Sequence, residues 1–297
     1  MTQDSKRIGW IGAGKMGLPI CLRMKAAGHD VHVLGRSADA RQKLEQLGLA
    51  PRADIVSLAK SADMVFSSIT DDAALEEIVF GENGVAASLP RGHVFIDIST
   101  VSPSVSVKVA DQLRSKGILY LRSPVSGSTV MAEAGTLTAV VSGPKAAFDA
   151  LQPLFESFTC KAFHVGEDEE ARYLKLVLNS MVAATSALLA EALAFGQKGG
   201  LDNATMLSVI NQSAIASPLI AYKTDMIVKE DYRPAATLSM LQKDLHLLLS
   251  EASAIGAPMP LGKHIHDIYQ NASARGLSEK DFFVLVQDAL GQNKNLP

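Results

Sequence analysis

Cysteine is nearly absent: Cys21 and Cys160 are the only two in 297 residues. Two thiols cannot build the disulfide framework of a small secreted domain, so a reducing, cytoplasmic setting is expected. An excess of positive charge is also missing. Lys and Arg number 28 against 31 Asp and Glu, a net charge of −3, which excludes the strongly basic surface of a general nucleic-acid binder. No internal repeat or low-complexity tract is present. The polar start, Met1 to Arg7, runs into a short apolar stretch without a cleavage-like site, so no secretory signal is read there. Long apolar runs are scarce. One candidate, Leu176 to Phe195, approaches the roughly 20 residues that span a bilayer. It also holds Asn179, Ser180, Thr185, Ser186 and Glu191, and buried Asn and Glu are costly in lipid. The expectation is a helix buried on all sides in a protein core, and no membrane.

What is present is the balance of a globular protein, with 47% apolar and 20% charged residues. At about 100–200 residues per domain, the length points to two domains. The first half alternates short β-rich runs with helical patterns. Strands are expected at Arg7–Ile11, Val31–Leu34, Met64–Ile69, Val94–Ile98, Ile118–Leu121, Leu137–Val141 and Lys161–Val165. Helices are expected between them, at Lys15–Ala27, Ala38–Gln46, Ala73–Val79, Val105–Lys116 and Lys145–Phe158. Such alternation predicts a parallel, doubly wound sheet. After Gly166 no convincing strand follows. A long helix from near Glu167 to about Lys198 leads into helices at 203–212, 218–227, 239–255, 261–275 and 280–290. The fold class is therefore α/β: an N-terminal Rossmann sheet over residues 1–166, then an all-α domain over 167–297, joined by the long helix.

Two other features attract attention and carry less. The run Glu167-Asp-Glu-Glu170 is explained as acids complementing a helix dipole. His264 and His266 lie two apart on an expected helix, point to different faces and have no third ligand apparent nearby, so no metal site is expected.

The segment Gly12-Ala13-Gly14-Lys15-Met16-Gly17 fits G-x-G-x-x-G between an apolar strand and a helix. Gly12 allows the tight turn, Gly14 the approach of a pyrophosphate, and Gly17 close helix–strand packing. The helix start offers amide N–H groups and a favourable dipole to the phosphates. The tip of the second strand selects between nicotinamide cofactors. An acid there binds the ribose 2′-hydroxyl of NAD. Here the tip is Gly35-Arg36-Ser37, with Asp30 at the far end of the strand and Asp39 later in a helix. Arg36 suits a 2′-phosphate and Ser37 can add a hydroxyl, so NADP is expected over NAD.

Together the motifs resemble the β-hydroxyacid dehydrogenase family, which includes 3-hydroxyisobutyrate dehydrogenases and tartronate, succinic and glyoxylic semialdehyde reductases. The pieces are Ile11-Gly-Ala-Gly-Lys-Met-Gly-Leu-Pro19, Asp97-Ile-Ser-Thr100, Pro124-Val-Ser-Gly127 with Ala132-Glu-Ala-Gly-Thr-Leu137, Lys175 with Asn179, and Lys243-Asp-Leu245. The resemblance implies hydride transfer between a nicotinamide and the oxygen-bearing carbon of a short 3-hydroxy acid or its semialdehyde. It implies Lys175 as the general acid in reduction and base in oxidation. Asn179, four residues on and so on the same helical face, would orient Lys175 or the substrate. Ser126 and Gly127 match the substrate-carboxylate site, and Ser128 beside them is counted with the substrate contacts. Thr100 matches the residue near the nicotinamide ribose, and Lys243 a lysine that closes over the nicotinamide. Ile69, at the end of its expected strand, is counted with the cofactor contacts. A homodimer or homotetramer is implied as well, in keeping with apolar surface on the long helix beyond what one face needs.

The chain departs from the family in places. An acid is usual where Arg122 stands, Gly or a close variant near Ser128, and Phe near Ala236. The segment Glu169-Glu-Ala-Arg-Tyr-Leu174 replaces a small, Gly-containing one. The expectation drawn from these is a larger or more anionic substrate meeting Arg122 or Arg172, in a pocket that Ala236 opens and Arg172 and Tyr173 border. Two other classes stay in view: an imine reductase, which usually has Asp or Tyr in place of the lysine, and a non-catalytic Rossmann module, which loses it. Lys175 and Asn179 argue against both.

Overall fold

The structure, a computed structural model, describes residues 5–291. Its contacts divide the chain into two compact units, Met1–Lys175 and Leu176–Pro297.

The first unit opens with β1 (Arg7–Ile11), α1 (Gly17–Ala26), β2 (Asp30–Leu34), α2 (Ala38–Gln46), β3 (Ala50–Arg52) and α3 (Ile55–Ser61). It continues through β4 (Met64–Ser67), α4 (Asp72–Phe80), α5 (Val85–Ser88), β5 (Val94–Asp97), α6 (Pro103–Ser115) and β6 (Leu119–Arg122). It closes with β7 (Val125–Ser126), α7 (Thr129–Ala134), β8 (Leu137–Ser142), α8 (Lys145–Phe155) and β9 (Thr159–Gly166). The order across the sheet is β3-β2-β1-β4-β5-β6-β8-β7, with β9 beside β8. Strands covered on both faces must be apolar on both, and alternate residues here feed two separate cores. Trp10 and Phe66 stack on one side with ring centroids 5.3 Å apart, over Ile20, Met24 and Phe158. Phe95 and Tyr120 stack on the other at 5.7 Å, among Ile11, Val65 and Val109.

Strands β1 to β6 are parallel, as the alternation implies. The series does not stay parallel. β8 runs antiparallel to both β6 and β7, and only β9 is parallel to β8. The six-residue α7 is too short to carry the chain back along the sheet, so it reverses at the same edge. The short β3 was hidden by Pro51, which an edge strand tolerates. α3 starts at a capping box in which Asp54 accepts from the Ser57 amide at 2.7 Å.

The second unit is helical: the remainder of α9 (Glu170–Lys198), then α10 (Asn203–Ile210), α11 (Pro218–Val228), α12 (Leu238–Ala254), α13 (Pro260–Ala272) and α14 (Leu285–Ala289). Leu193, Leu207, Ile227, Leu245, Tyr269 and Phe283 share its core. The expected helix over 280–290 is instead a 3₁₀ turn at Phe282–Val284 leading into α14. Asp281 breaks it: its buried carboxylate binds the Lys223 ammonium at 2.6 Å and accepts from the Phe283 amide.

By their contacts the two units divide inside α9, after Lys175. Its first turn is bound into the first unit, because Glu169 pairs with Arg122 and Arg172 with Asp97, all four side chains buried. Of the acids at 167–170 only Glu169 departs from a solvated partner of the helix dipole, as a buried ion-pair acceptor; Glu167, Asp168 and Glu170 are exposed, and Glu167 and Glu170 accept from the amides of Lys145 and Asp168. The expectation that α9 is buried all round is corrected. Ala183, Ala187, Ala190 and Leu193 face the core, while Val177, Met181, Leu188 and Phe195 are exposed. The helix is long and apolar enough to cross a bilayer, with 39% of its most apolar window buried.

Both cysteines are free thiols. Cys21 is fully buried on α1, and burial pushes its thiol pKa well up, while Cys160 on β9 is exposed. A thiolate-trapping reagent will titrate one thiol per native chain quickly and the second only on unfolding. Cys160→Ser removes the fast phase; a surviving fast phase would contradict this placement.

Candidate active site

The carboxyl ends of β1, β2, β4 and β5 lie along one edge of the parallel sheet, the position where open α/β sheets bind ligands. The glycine loop leaves β1 there. Gly12 has φ +91°, and a Cβ on it would lie 2.1 Å from the Ser68 carbonyl oxygen, so only glycine fits the turn. A Cβ on Gly17 would lie 2.3 Å from the Gly12 oxygen and 2.6 Å from the Trp10 indole nitrogen, so the helix start packs directly on the turn. At Gly14 a Cβ would meet nothing within 4 Å, and Gly14 and Lys15 are exposed. The three glycines thus play three different parts. Trp10 Nε1 donates to the Gly12 carbonyl at 3.3 Å and braces the turn from below. Ala13 and Met16 are half-buried against the core, and no side chain caps α1 after Met16. The first amides of α1 suit a pyrophosphate, so the residues present fit a dinucleotide.

The turn after β2 is held from behind by Arg41, whose guanidinium donates to the Gly35 carbonyl at 2.9 Å. Arg36 is exposed, with no hydrogen bond or ion pair among the described residues. The Ser37 hydroxyl oxygen accepts from the Ala40 amide at 3.1 Å as the cap of α2, and its proton remains to donate elsewhere. Ile69 follows β4 and Thr100 follows β5, both half-buried. Ser99 ties these two loops together, its hydroxyl oxygen accepting from the Ile69 amide at 2.9 Å.

Ser126 ends β7, and Gly127 has φ +136° with Leu137 and Met131 closing round it. Ser128 is the N-terminal residue of the α7 turn, yet its hydroxyl does not cap that helix and has no partner among the described residues. The backbone therefore presents two hydroxyls on a glycine turn. Lys175 lies half-buried on α9, and Asn179 follows one turn later, on the portion of α9 that belongs to the second unit.

Within the second unit, Asn179 and Lys243 meet through a residue that sequence reasoning passed over. Asn179 Nδ2 donates to Asp244 Oδ2 at 2.5 Å, and Lys243 Nζ lies 2.9 Å from Asp244 Oδ1. Asp244 is 7% exposed on α12. The signal was the motif Lys243-Asp-Leu245 itself. Read as composition, Lys243 and Asp244 make a charged helix face; the apolar neighbours Leu241, Leu245 and Leu248 place the acid on the buried one.

The expectation that Arg122 or Arg172 meets extra substrate charge is overturned. Both are buried and already paired. Arg122 donates to Glu169 through Nε at 2.9 Å and through Nη2, and its guanidinium stacks 4.6 Å over Tyr120. Arg172 is 1% exposed. Burial would discharge it, but the Tyr120 and Asp97 oxygens outweigh that and hold its pKa above the ordinary arginine value. Two arginines read as free charge were the inner halves of ion pairs, because their acids lie 47 and 75 residues away.

A glycine turn on a parallel sheet, a helix that starts on that turn without a side-chain cap and a lysine-bearing helix define a nicotinamide-dependent oxidoreductase. Known proteins agree. A family model described as the NAD binding domain of 6-phosphogluconate dehydrogenase matches residues 7–166. A second, described as the NAD-binding of NADP-dependent 3-hydroxyisobutyrate dehydrogenase, matches residues 170–288. The chain is 30% identical to glyoxylate/succinic semialdehyde reductase 2, chloroplastic, of Arabidopsis thaliana, over 94% of this chain and 78% of that one. It is also 30% identical to 2-hydroxy-3-oxopropionate reductase of Escherichia coli, over 95% and 96%. Among solved structures, Psf3 in complex with NADP+ and 2-OPP has a TM-score of 0.86 at 26% identity, over 95% of this chain and 99% of that one. The chain belongs to the β-hydroxyacid dehydrogenase family.

Proposed function

We propose that this enzyme uses NADP to interconvert a short 3-hydroxy acid and its semialdehyde, with Lys175 as proton donor in reduction and acceptor in oxidation. The cofactor, when bound, supplies or accepts the hydride. The chain's own residues do the rest. Reduction of the aldehyde builds negative charge on its oxygen, and an ammonium within reach both stabilises that charge and delivers the proton. Ser126, Ser128 and the Gly127 turn hold the substrate carboxylate and so aim the reacting carbon. Asn179 orients the lysine, and Lys243 contacts the cofactor, with Asp244 fixing both side chains. Ala13, Lys15, Met16, Ile69 and Thr100 line the cofactor with the three loop glycines. The observation that carries the reading is Lys175 on α9 in a chain whose first unit holds an open dinucleotide loop. The choice of NADP rests on the exposed Arg36 at the tip of β2, which has no ion-pair partner among the described residues, and on Gly35 and Ser37 standing beside it in place of an acid.

The names of the relatives carry small carboxylates that bear an aldehyde, glyoxylate, succinic semialdehyde and 2-hydroxy-3-oxopropionate, and support a substrate of that kind. Both buried arginines are spent internally, so a monocarboxylate suffices. The test is a steady-state assay with NADP⁺ and NAD⁺ across short 3-hydroxy acids, and with NADPH and NADH on the matching semialdehydes. NADP-linked turnover of at least one pair is expected. Binding of NADPH without turnover of any pair would overturn the reading.

We also propose that the chain acts in the cytoplasm as a homodimer or homotetramer, with no membrane or nucleic acid as partner. The exposed stripe Val177, Met181, Leu188 and Phe195 on α9 supports an assembly. Light scattering is expected to give a mass of two or four chains, and Leu188→Glu with Phe195→Glu to lower it. A monomer for the unsubstituted chain would refute the assembly.

A further inference from the structure

We propose that Arg172 is a positioning residue for Lys175, fixing the turn that carries the lysine to the cofactor edge of the sheet. The inference rests on the reading of Lys175 as the proton donor. Arg172 lies one turn before Lys175 on α9, within the same unit, so whatever fixes its side chain also fixes the rotation and height of the lysine's turn.

The fixing is dense. Arg172 Nη1 donates to the Ser99 carbonyl at 2.7 Å, and Nη2 to Asp97 Oδ2 at 2.6 Å and to the Tyr120 hydroxyl at 2.7 Å. Nε donates to the Ser106 hydroxyl at 3.3 Å. The guanidinium thereby reaches the end of β5, Tyr120 within β6 and the buried face of α6. Asp97 is fully buried, and its other oxygen accepts from the Ser67 and Ser99 hydroxyls, each at 2.6 Å. Ser99 in turn receives the Ile69 amide and precedes Thr100. One connected set of hydrogen bonds therefore joins the lysine's turn to both loops assigned to the cofactor. A planar fork with several fixed acceptors defines an orientation that a lysine or a small residue cannot.

Folding alone would also favour such a pair, so the experiment must separate the two roles. A second buried ion pair, Lys223 with Asp281 at 2.6 Å, lies in the second unit, where Asp281 also accepts from the Ala235 amide at 3.3 Å. It serves as the stability control. Arg172→Gln, Arg172→Lys, the double variant Asp97→Asn with Arg172→Gln, and Lys223→Met are each assayed well below their Tm. The double variant leaves no unpaired buried charge and keeps acceptors for Ser67 and Ser99, so it folds if the single variant does not. Expected for Arg172→Gln and for the double variant is a fall in kcat of about 100-fold, the scale of a misplaced reacting group. NADPH affinity changes less than about threefold, and the deuteride isotope effect on kcat rises as chemistry becomes limiting. Arg172→Lys recovers part of kcat. Lys223→Met loses Tm with unchanged kcat.

Full turnover in the folded double variant overturns the proposal, as does an equal loss of kcat in Lys223→Met. Lys175→Met, run alongside, keeps the two ideas apart. If it retains turnover, the lysine reading has failed; if it is inactive while the Arg172 variants are fully active, only the positioning has failed.

Discussion

Lys175→Met lowers kcat for semialdehyde reduction by about 10³-fold, within the range general acid–base groups contribute, and leaves the NADPH dissociation constant within about threefold. The argument is chemical. Hydride addition to a carbonyl leaves an alkoxide, which in a half-buried site has no bulk water to protonate it at once. An ammonium supplies both a charge and a proton; a thioether of similar length supplies neither. Methionine also keeps the helix, since it is among the better helix formers and fills comparable space. Stability should therefore change little, and Tm and cofactor fluorescence serve as controls. Loss of NADPH binding in parallel with kcat would instead assign Lys175 to the cofactor. Lys175→Arg adds a finer test: it restores charge but holds its proton too tightly to exchange it, so most of the loss persists. Substantial rescue by arginine would make Lys175 an electrostatic group and remove it as acid.

The cofactor half of the site was legible in the sequence because it is local. The glycine loop, the tip of β2 and the ends of β4 and β5 are each a strand end followed by a short segment, and period-two apolar runs locate strand ends well. The three glycines do what their spacing implies, down to the open space at Gly14. What the sequence concealed is non-local. Asp97 and Arg172 are 75 residues apart, and Arg122 and Glu169 are 47 apart. Nothing in one sequence says that charges so far apart neutralise each other in the interior. Each alone reads as a solvated or substrate-facing group, because charged side chains are seldom fully buried unless paired. The same limit hid Asp244, whose partner Asn179 lies 65 residues earlier. The reversal at β7 and α7 was missed for a different reason. A two-residue strand and a six-residue helix are shorter than any periodicity can register, and the Pro124-Val-Ser-Gly127 run reads as an ordinary turn. The glycine-poor start of α9 is the departure that repaid attention: residues too large and too charged for a small-residue turn are there because two buried acids, Asp97 and Glu169, receive the guanidinium groups.

Arg36→Glu reverses the cofactor preference. A charge-assisted hydrogen bond contributes about 1.5–3 kcal/mol, so removing the guanidinium from a 2′-phosphate raises KM for NADPH by about 10–150-fold. The carboxylate adds repulsion to the phosphate, and can accept from the free 2′-hydroxyl of NADH as an acid at a strand tip does. The ratio of kcat/KM for NADPH over NADH therefore falls on both counts, while kcat at saturating cofactor holds. Arg36→Leu separates the effects: the NADPH term weakens and the NADH term stays. Because Arg36 is exposed, the native preference should shrink as salt rises and the interaction is screened. Arg41 sets a competing possibility that the same data resolve. It already donates to the Gly35 carbonyl, so its substitution loosens the turn and weakens both cofactors together, whereas a phosphate contact weakens only one. An unchanged ratio in Arg36→Glu would remove the basis for NADP, and a loss confined to NADPH in Arg41→Leu would move the phosphate contact one turn into α2.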